Sequence, residues 1–120
     1  MLKEPLLKIQ SLIHHEGRID AELQVDRHSE ILAVHFPGQP VVPGACMLQI
    51  VKEILADTLK TELRLVRADN IKFLSLVEPS VSILQLNITY KQTDNDFRVT
   101  ASLFNGETTY MKLQGIFTLR

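Results

Sequence analysis

The stretch that decides the fold is AVHFPGQPVVPGACMLQIVKEIL, residues 33–55, in which a rigid loop runs directly into a helical pattern. Its central part, HFPGQPVVPG over 35–44, contains one histidine, three prolines and two glycines. Proline restricts φ and glycine permits tight turns, so this part predicts a loop of defined shape. In residues 44–60, apolar side chains recur at helical spacing, which predicts one amphipathic helix that begins near Gly44. Its apolar side holds Leu48, Val51, Ile54, Leu55, Thr58 and Leu59, and its polar side holds Gln49, Lys52, Glu53 and Lys60.

After this helix, every second residue is apolar, which is the spacing typical of half-buried strands. LQLNITYK over 84–91 and FRVTASL over 97–103 alternate apolar with polar residues, and a third run follows over 109–117. Turn-forming residues at 93–96 and 105–107 separate the three runs. This arrangement predicts an antiparallel meander.

Three earlier segments, at 17–26, 30–36 and 64–75, also have the composition of strands, and a short helix is predicted over 2–13. The sequence therefore predicts a single α+β domain over 1–120, with about six strands and one long helix. Because that helix has to bury a wide apolar stripe, the sheet must curl round it.

Composition narrows the function classes. The chain has 120 residues, of which 45% are hydrophobic and 22% charged, as expected of one globular domain. A formal net charge of −1 argues against nucleic-acid binding and against a polybasic membrane anchor. The first ten residues, MLKEPLLKIQ, lack the apolar block of a signal peptide, so we expect a cytoplasmic protein. Cys46 is the only cysteine, which excludes an intrachain disulfide and a cysteine-based metal cluster.

The loop HFPGQPVVPG resembles the H-F-P-G-x-P-x-x-P-G signature of bacterial 3-hydroxyacyl-[acyl-carrier-protein] dehydratases, and every fixed position matches. These enzymes form enoyl thioesters in fatty-acid synthesis. IKFLSLVEPS, residues 71–80, is similar to the family's strand that enters a V-x-P turn. The resemblance implies a hotdog fold, in which an antiparallel sheet wraps round one long central helix.

The same resemblance implies the partners of the protein. In these dehydratases the histidine and the acid come from different subunits of a dimer, so we expect a homodimer or a multiple of dimers. The substrate would arrive on an acyl-carrier protein or on CoA, and its phosphopantetheine arm would be the only cofactor involved. No metal and no separate cofactor are expected, since the chain has no phosphate loop, nucleotide fingerprint or metal-ligand spacing.

The chemistry of dehydration accounts for the residue types in the loop. Removing a proton from C2 while the C3 hydroxyl leaves requires a base, an acid and a donor to the thioester oxygen. His35 suits the base because imidazole titrates near neutrality. Gly44, at the helix start, offers an N–H with no side chain in front of it. Phe36 is a candidate substrate contact, although packing within the loop explains it at least as well.

The chain departs from the family pattern on the helix. The position fourteen residues after the histidine, which we call the family acid position, is Glu or Asp in the family, and four residues later comes Gln. Here Gln49 occupies the family acid position and Glu53 follows one turn later. An amide cannot donate a general-acid proton, and losing that group lowers rates by about 10²–10⁴-fold.

Three interpretations stay open from the sequence. In the first, Glu53 reaches back one turn and acts as the acid, with Gln49 as its hydrogen-bonding partner. In the second, Gln49 orients a water and an acidic side chain drives thioester hydrolysis, since hotdog proteins also include acyl-CoA thioesterases. In the third, the domain binds acyl chains or a carrier protein without turnover, as the partner of an active dehydratase. Cys46 is interpreted as a packing residue, and His14, His15 and His28 as surface or turn histidines.

Overall fold

The alternating apolar residues of the second half of the chain form a meander of three long strands. The computed structural model describes residues 6–26, 28–29, 32, 42–78 and 80–120. Within that part of the chain, one helix and six strands build the domain: β1 Leu7–His15, β2 Arg18–Val25, α1 Gly44–Leu59, β3 Leu63–Phe73, β4 Ile83–Thr93, β5 Asp96–Asn105 and β6 Thr108–Leu119. The strands form one antiparallel sheet in the order β1-β2-β4-β5-β6-β3.

The strand registers place the apolar residues on one face of the sheet. Leu86 on β4 lies opposite Leu103 on β5, and Leu103 lies opposite Met111 on β6. All three side chains are almost completely buried. Their polar neighbours along each strand point to the outer face, so the meander is half-buried, as the period-two pattern predicts.

Helix α1 fills the inner face of this sheet. The predicted helix is confirmed and begins at Gly44, and it ends where Lys60 adopts a left-handed conformation with φ 55°. Its buried side chains are Met47, Ile50, Val51, Ile54 and Leu55. Leu48 and Leu59 are only half-buried, so the buried stripe is turned toward Met47 and Ile50 relative to the prediction. The predicted hotdog architecture, a curled antiparallel sheet round one helix, is confirmed.

The pairing of β3 with β6 contains two irregularities. The register of β3 shifts between Leu65 and Arg67 and again between Ala68 and Asn70, which marks two bulges. Gly115 on β6 lies opposite this region, and a Cβ there would lie 2.6 Å from the Arg67 carbonyl oxygen. The two backbones therefore approach more closely than a side chain on β6 would permit.

The predicted helix over 2–13 is wrong over its described part, because β1 begins at Leu7. Leu6, Ile9 and Ile13 have helical spacing, but β1 pairs with β2 along its whole length. The register shifts between Ile9 and Ser11, and this bulge interrupts the alternation that would have indicated a strand. Backbone pairing thus prevailed over the local pattern of side chains.

The predicted strand over 30–36 lies almost entirely outside the described residues. Leu32, the one described residue of that segment, has a helical backbone, and its N–H donates to the Ser29 carbonyl at 3.1 Å. The strand prediction is therefore wrong at Leu32. In the described part of the chain, no helix combines the length and the apolar content required to cross a bilayer.

Gly115→Ala tests whether the close backbone approach shapes the sheet. The new methyl group would overlap the Arg67 carbonyl, so we expect a destabilisation of about 1–3 kcal/mol and a melting temperature lower by several degrees. Thermal unfolding followed by circular dichroism measures the effect. The matched control is Gly106→Asn, since Gly106 has no atom within 4 Å of its Cβ position and asparagine tolerates its φ of 58°. An unchanged melting temperature for Gly115→Ala would contradict the account.

Candidate active site

The N-terminus of α1 is held in place by the chain that enters it. The Val42 N–H donates to the Val77 carbonyl at 2.8 Å, which ties the entry segment to the loop after β3. Pro43 is extended, with φ −63° and ψ 144°, and its carbonyl accepts from the Cys46 and Met47 N–H groups at 3.0 and 3.3 Å. Gly44 is the first helical residue, so its N–H has no acceptor within the helix.

An aromatic side chain that the sequence analysis missed lies against Gly44. A Cβ on Gly44 would be 2.7 Å from Cζ of Phe73 and 2.8 Å from its Cε1. Phe73 ends β3 and is 51% exposed. Phe73 lies in IKFLSLVEPS, the segment that resembles the dehydratase family, and this position could have indicated it. The sequence does not reveal, however, which residue of the segment faces the helix.

Gln49 and Glu53 lie on the exposed side of α1, one turn apart. Gln49 Nε2 donates to Glu53 Oε1 at 3.1 Å. Gln49 lies five positions after Gly44, or about 7.5 Å further along the helix axis, and Glu53 lies about 6 Å beyond Gln49. Helical side chains lean toward the N-terminus, which is how the Glu53 carboxylate comes within hydrogen-bonding distance of the family acid position.

Cys46 is the remaining reactive residue type on this helix. It is half-buried and packs against the core. Burial raises the pKa of the Cys46 thiol above its ordinary range, which keeps it protonated near neutral pH. A thiol in that state is a poor nucleophile, and this supports its interpretation as a packing residue.

The other described histidines are all exposed. His14 Nε2 lies 2.7 Å from the Tyr90 hydroxyl, and the His28 N–H of the backbone donates to Asp26 Oδ1 at 3.0 Å. His15 lies opposite Arg18 across the β1–β2 pair. None of these contacts brings a histidine to the N-terminus of α1.

His35 and Phe36, the two candidates in the loop, lie outside the described residues. The structure thus brings Gly44 and Phe73 together and joins Gln49 to Glu53 on the same helix. The base and loop assignments stay predictions from the sequence. What the described arrangement offers is a backbone donor beside an apolar ring, and a carboxylate linked to the family acid position.

A protein-family model supplies the decisive comparison. The model for the ApeI-like family, described as ApeI dehydratase, matches residues 11–111. This chain belongs to the ApeI-like family. The match includes all of α1 and β3, and therefore includes Gly44, Gln49, Glu53 and Phe73. Among curated proteins, none matches the chain significantly.

Solved structures agree with this family in fold. An uncharacterized protein from Erwinia carotovora subsp. atroseptica is 22% identical with a TM-score of 0.69, covering 96% of each chain. The dehydratase heterocomplex ApeI:P from Xenorhabdus doucetiae is 18% identical with a TM-score of 0.71, covering 90% of this chain and 96% of that one. A putative thioesterase, a phenylacetic acid degradation-related protein from Ralstonia eutropha, is 14% identical with a TM-score of 0.65, covering 93% and 83%. At these levels of sequence identity, the similarity shows only that the chains share the hotdog fold.

Proposed function

We propose that this ApeI-like protein is a dehydratase that converts a 3-hydroxyacyl thioester to the trans-2-enoyl thioester, in the synthesis of fatty-acid or related acyl chains. The observation that carries the proposal is the hydrogen bond from Gln49 to Glu53. It links a carboxylate to the family acid position in a chain whose family is described as dehydratase. The inverted order of these residues therefore keeps an acidic group one helical turn from the family acid position and hydrogen-bonded to it.

Each residue of the proposed site has one role. His35 takes the proton from C2, and the electron pair that is left moves toward the thioester carbonyl. The Gly44 N–H donates to the carbonyl oxygen, and the positive end of the helix dipole stabilises its developing negative charge. Glu53 gives a proton to the C3 hydroxyl, which departs as water while the C2–C3 double bond forms. Gln49 holds the Glu53 carboxyl group through its amide.

A second candidate function is a non-catalytic acyl-binding or carrier-binding subunit. The amide of Gln49 at the family acid position favours it, because Glu53 lies one turn further from Gly44 than the family acid would. The similar Xenorhabdus protein was solved as a dehydratase heterocomplex, so an assembly of unlike subunits is compatible with the fold. A third candidate function is thioester hydrolysis, in which Gln49 would orient a water. Its support is the fold that the chain shares with a putative thioesterase.

The substrate carrier is proposed to be an acidic acyl-carrier protein or CoA, and the phosphopantetheine arm is then the only cofactor needed. Strand β3 carries three exposed basic residues that are not adjacent in the sequence: Arg64, Arg67 and Lys72. Arg67 is already paired with Asp69, at 2.7 Å. Lys72 lies directly opposite Lys112 on β6, and this exposed pair of like charges lies one residue from Phe73. Such a pair favours an anionic group beside it.

The proposed assembly is a homodimer. β3 is an edge strand of 11 residues and is exposed along most of its length, including apolar Leu65 and Val66. A long exposed edge with unpaired backbone groups is a template for pairing with another chain. A second copy is the simplest partner, because identical edges can pair symmetrically.

The inverted pair leads to a prediction about activity. If Glu53 supplies the proton, Glu53→Gln lowers the rate of dehydration by at least about 10²-fold, since the amide has no acidic proton. Gln49→Glu leaves the rate unchanged or raises it, because it restores a carboxyl at the family acid position. The double variant Gln49→Glu with Glu53→Gln regains activity that Glu53→Gln loses. Steady-state formation of the enoyl thioester measures all four proteins.

Two controls make these variants informative. His35→Ala provides the inactive reference, and circular dichroism establishes that each variant is folded. A fully active Glu53→Gln protein would show that the acid lies elsewhere. An inactive wild type that gains dehydration in the double variant would instead identify a binding subunit that has lost its acid.

The dimer leads to a second prediction. Light scattering at micromolar concentration should give at least twice the chain mass of 13.6 kDa, because pairing would cover the apolar part of the β3 edge. Val66→Lys, which puts a charge at a 49%-exposed apolar position of that edge, should shift the particle toward the monomer. The matched control Thr100→Lys, on the outer face of β5, should not. A monomeric wild type would contradict the proposal.

A further inference from the structure

A cavity of about 380 Å³ lies on the outer face of the sheet, beside the turn that joins β4 to β5. Its lining residues are Lys91, Thr93, Asp94, Asn95, Asp96, Arg98 and Ile116. Phe97 and Val99, the neighbours of Arg98 along β5, are buried on the inner face, so Arg98 points outward. The cavity therefore lies on the side of the sheet away from α1 and shares no residue with the proposed active site.

One end of the cavity is basic. Lys91 lies directly opposite Arg98 in the β4–β5 pair, and both side chains are exposed. Like charges at opposed positions of a sheet repel each other. Within the described part of the chain, neither residue forms an ion pair. An anion placed between them would relieve this repulsion, and half-buried Ile116, opposite Arg98 on β6, provides an apolar surface beside them.

The other end of the cavity is acidic. Asp96 lies two residues before Arg98 on the same face of β5, opposite Thr93, and Asp94 lies in the turn. Two residues along a strand correspond to about 7 Å. No ion pair among the described residues joins either carboxylate to Lys91 or Arg98. The cavity thus keeps two positive charges apart from two negative ones.

The backbone of the acidic end is held in place by hydrogen bonds. The Asn95 carbonyl accepts from the Leu119 N–H at 3.0 Å and from the Thr118 hydroxyl at 3.2 Å, which ties the turn to β6. Asp94 has a φ of 56°, and its carbonyl accepts from Gln92 Nε2 at 3.0 Å. Because the turn is fixed against the sheet, the two ends of the cavity are positioned before a ligand arrives, which lowers the cost of binding.

We propose that this cavity binds a small zwitterion, with a phosphate group against Lys91 and Arg98 and an ammonium group against Asp94 and Asp96. A phosphate carries more than one negative charge near neutral pH, and the Arg98 guanidinium can bind two of its oxygens. An ammonium group brings three donors to the two carboxylates. The charges of such a ligand would be about 5–7 Å apart. This site goes beyond the proposed function and does not depend on it.

A zwitterion fits the cavity better than either of its charged groups alone. A simple anion would lie near the carboxylates of Asp94 and Asp96, and a simple cation would lie near Lys91 and Arg98. Each would therefore meet repulsion at one end of the cavity, whereas a molecule with both charges is attracted at both ends.

The test is a nuclear magnetic resonance titration of the isotope-labelled full chain with phosphoethanolamine, and separately with inorganic phosphate and with ethanolamine. Phosphoethanolamine should cause saturable amide shifts at residues 91–98 and at Ile116, with a dissociation constant in the millimolar range. Each of the other two compounds should bind at least about tenfold more weakly. No saturable shift at these residues, or equal binding of inorganic phosphate, would overturn the proposal.

Matched variants show whether the charges of the cavity are responsible. Lys91→Met and Asp96→Asn should each raise the dissociation constant about three- to fivefold, the effect of losing one exposed ion pair. Lys112→Met is the control for Lys91→Met, because it removes the same charge from the outer face of β6, opposite Lys72 and outside the cavity lining. It should leave binding unchanged. Equal weakening by Lys112→Met would show a response to overall charge alone and would overturn the site.

The same chemistry occurs in a free metabolite and in a lipid headgroup, and vesicles that contain phosphatidylethanolamine distinguish the two sources. Sedimentation of the wild type with these vesicles, but not of Lys91→Met, would identify the headgroup as the ligand. A wild type that binds phosphoethanolamine and stays in solution would identify a free zwitterion. A wild type that binds neither phosphoethanolamine nor the vesicles would contradict the inference, and would leave the proposed dehydration unaffected.

Discussion

Burial of α1 on the inner face of a single sheet is the constraint from which the other features follow. The sheet curls so that its inner face covers the buried side chains of α1, which are Met47, Ile50, Val51, Ile54 and Leu55. The bulges of β3 lie opposite Gly115, where the two backbones approach closely. A helix enclosed on one side by a sheet keeps its other side and its N-terminus in contact with solvent or a partner. The pair Gln49–Glu53 lies on the exposed side, whereas Gly44 packs against the Phe73 ring.

Gly44, Gln49 and Glu53, the described candidates from the sequence, all lie on α1. Within one chain, Gly44 and Glu53 lie about 13.5 Å apart along the axis of this helix. In the sequence, His35, the proposed base, lies nine residues before Gly44, the proposed donor. Only Phe73 comes from a distant element, and it is also the residue whose ring fills the space left by Gly44. The inverted order of Gln49 and Glu53 is then a change within one helical turn, on a scaffold of the ApeI-like family.

The fold was predictable where a single period governs the side chains. Helix α1 and strands β4, β5 and β6 were predicted correctly because their apolar residues recur at a regular spacing and all face one core. β1 was mistaken for a helix because a bulge after Ile9 breaks its alternation, and pairing with β2 is not visible in local sequence. Of the proposed site, the places of Gly44, Gln49 and Glu53 on α1 could be predicted from the sequence, and their roles stay predictions. The contact of Phe73 with Gly44 could not, since it depends on how β3 bends past the helix.

The central claim is that this scaffold eliminates water from a 3-hydroxyacyl thioester and leaves the thioester bond intact. The most direct measurement incubates the purified protein with one such substrate and follows enoyl absorbance and free thiol in the same sample. The account predicts that enoyl product accumulates without thiol release. Release of thiol without enoyl product, or neither signal, would contradict it.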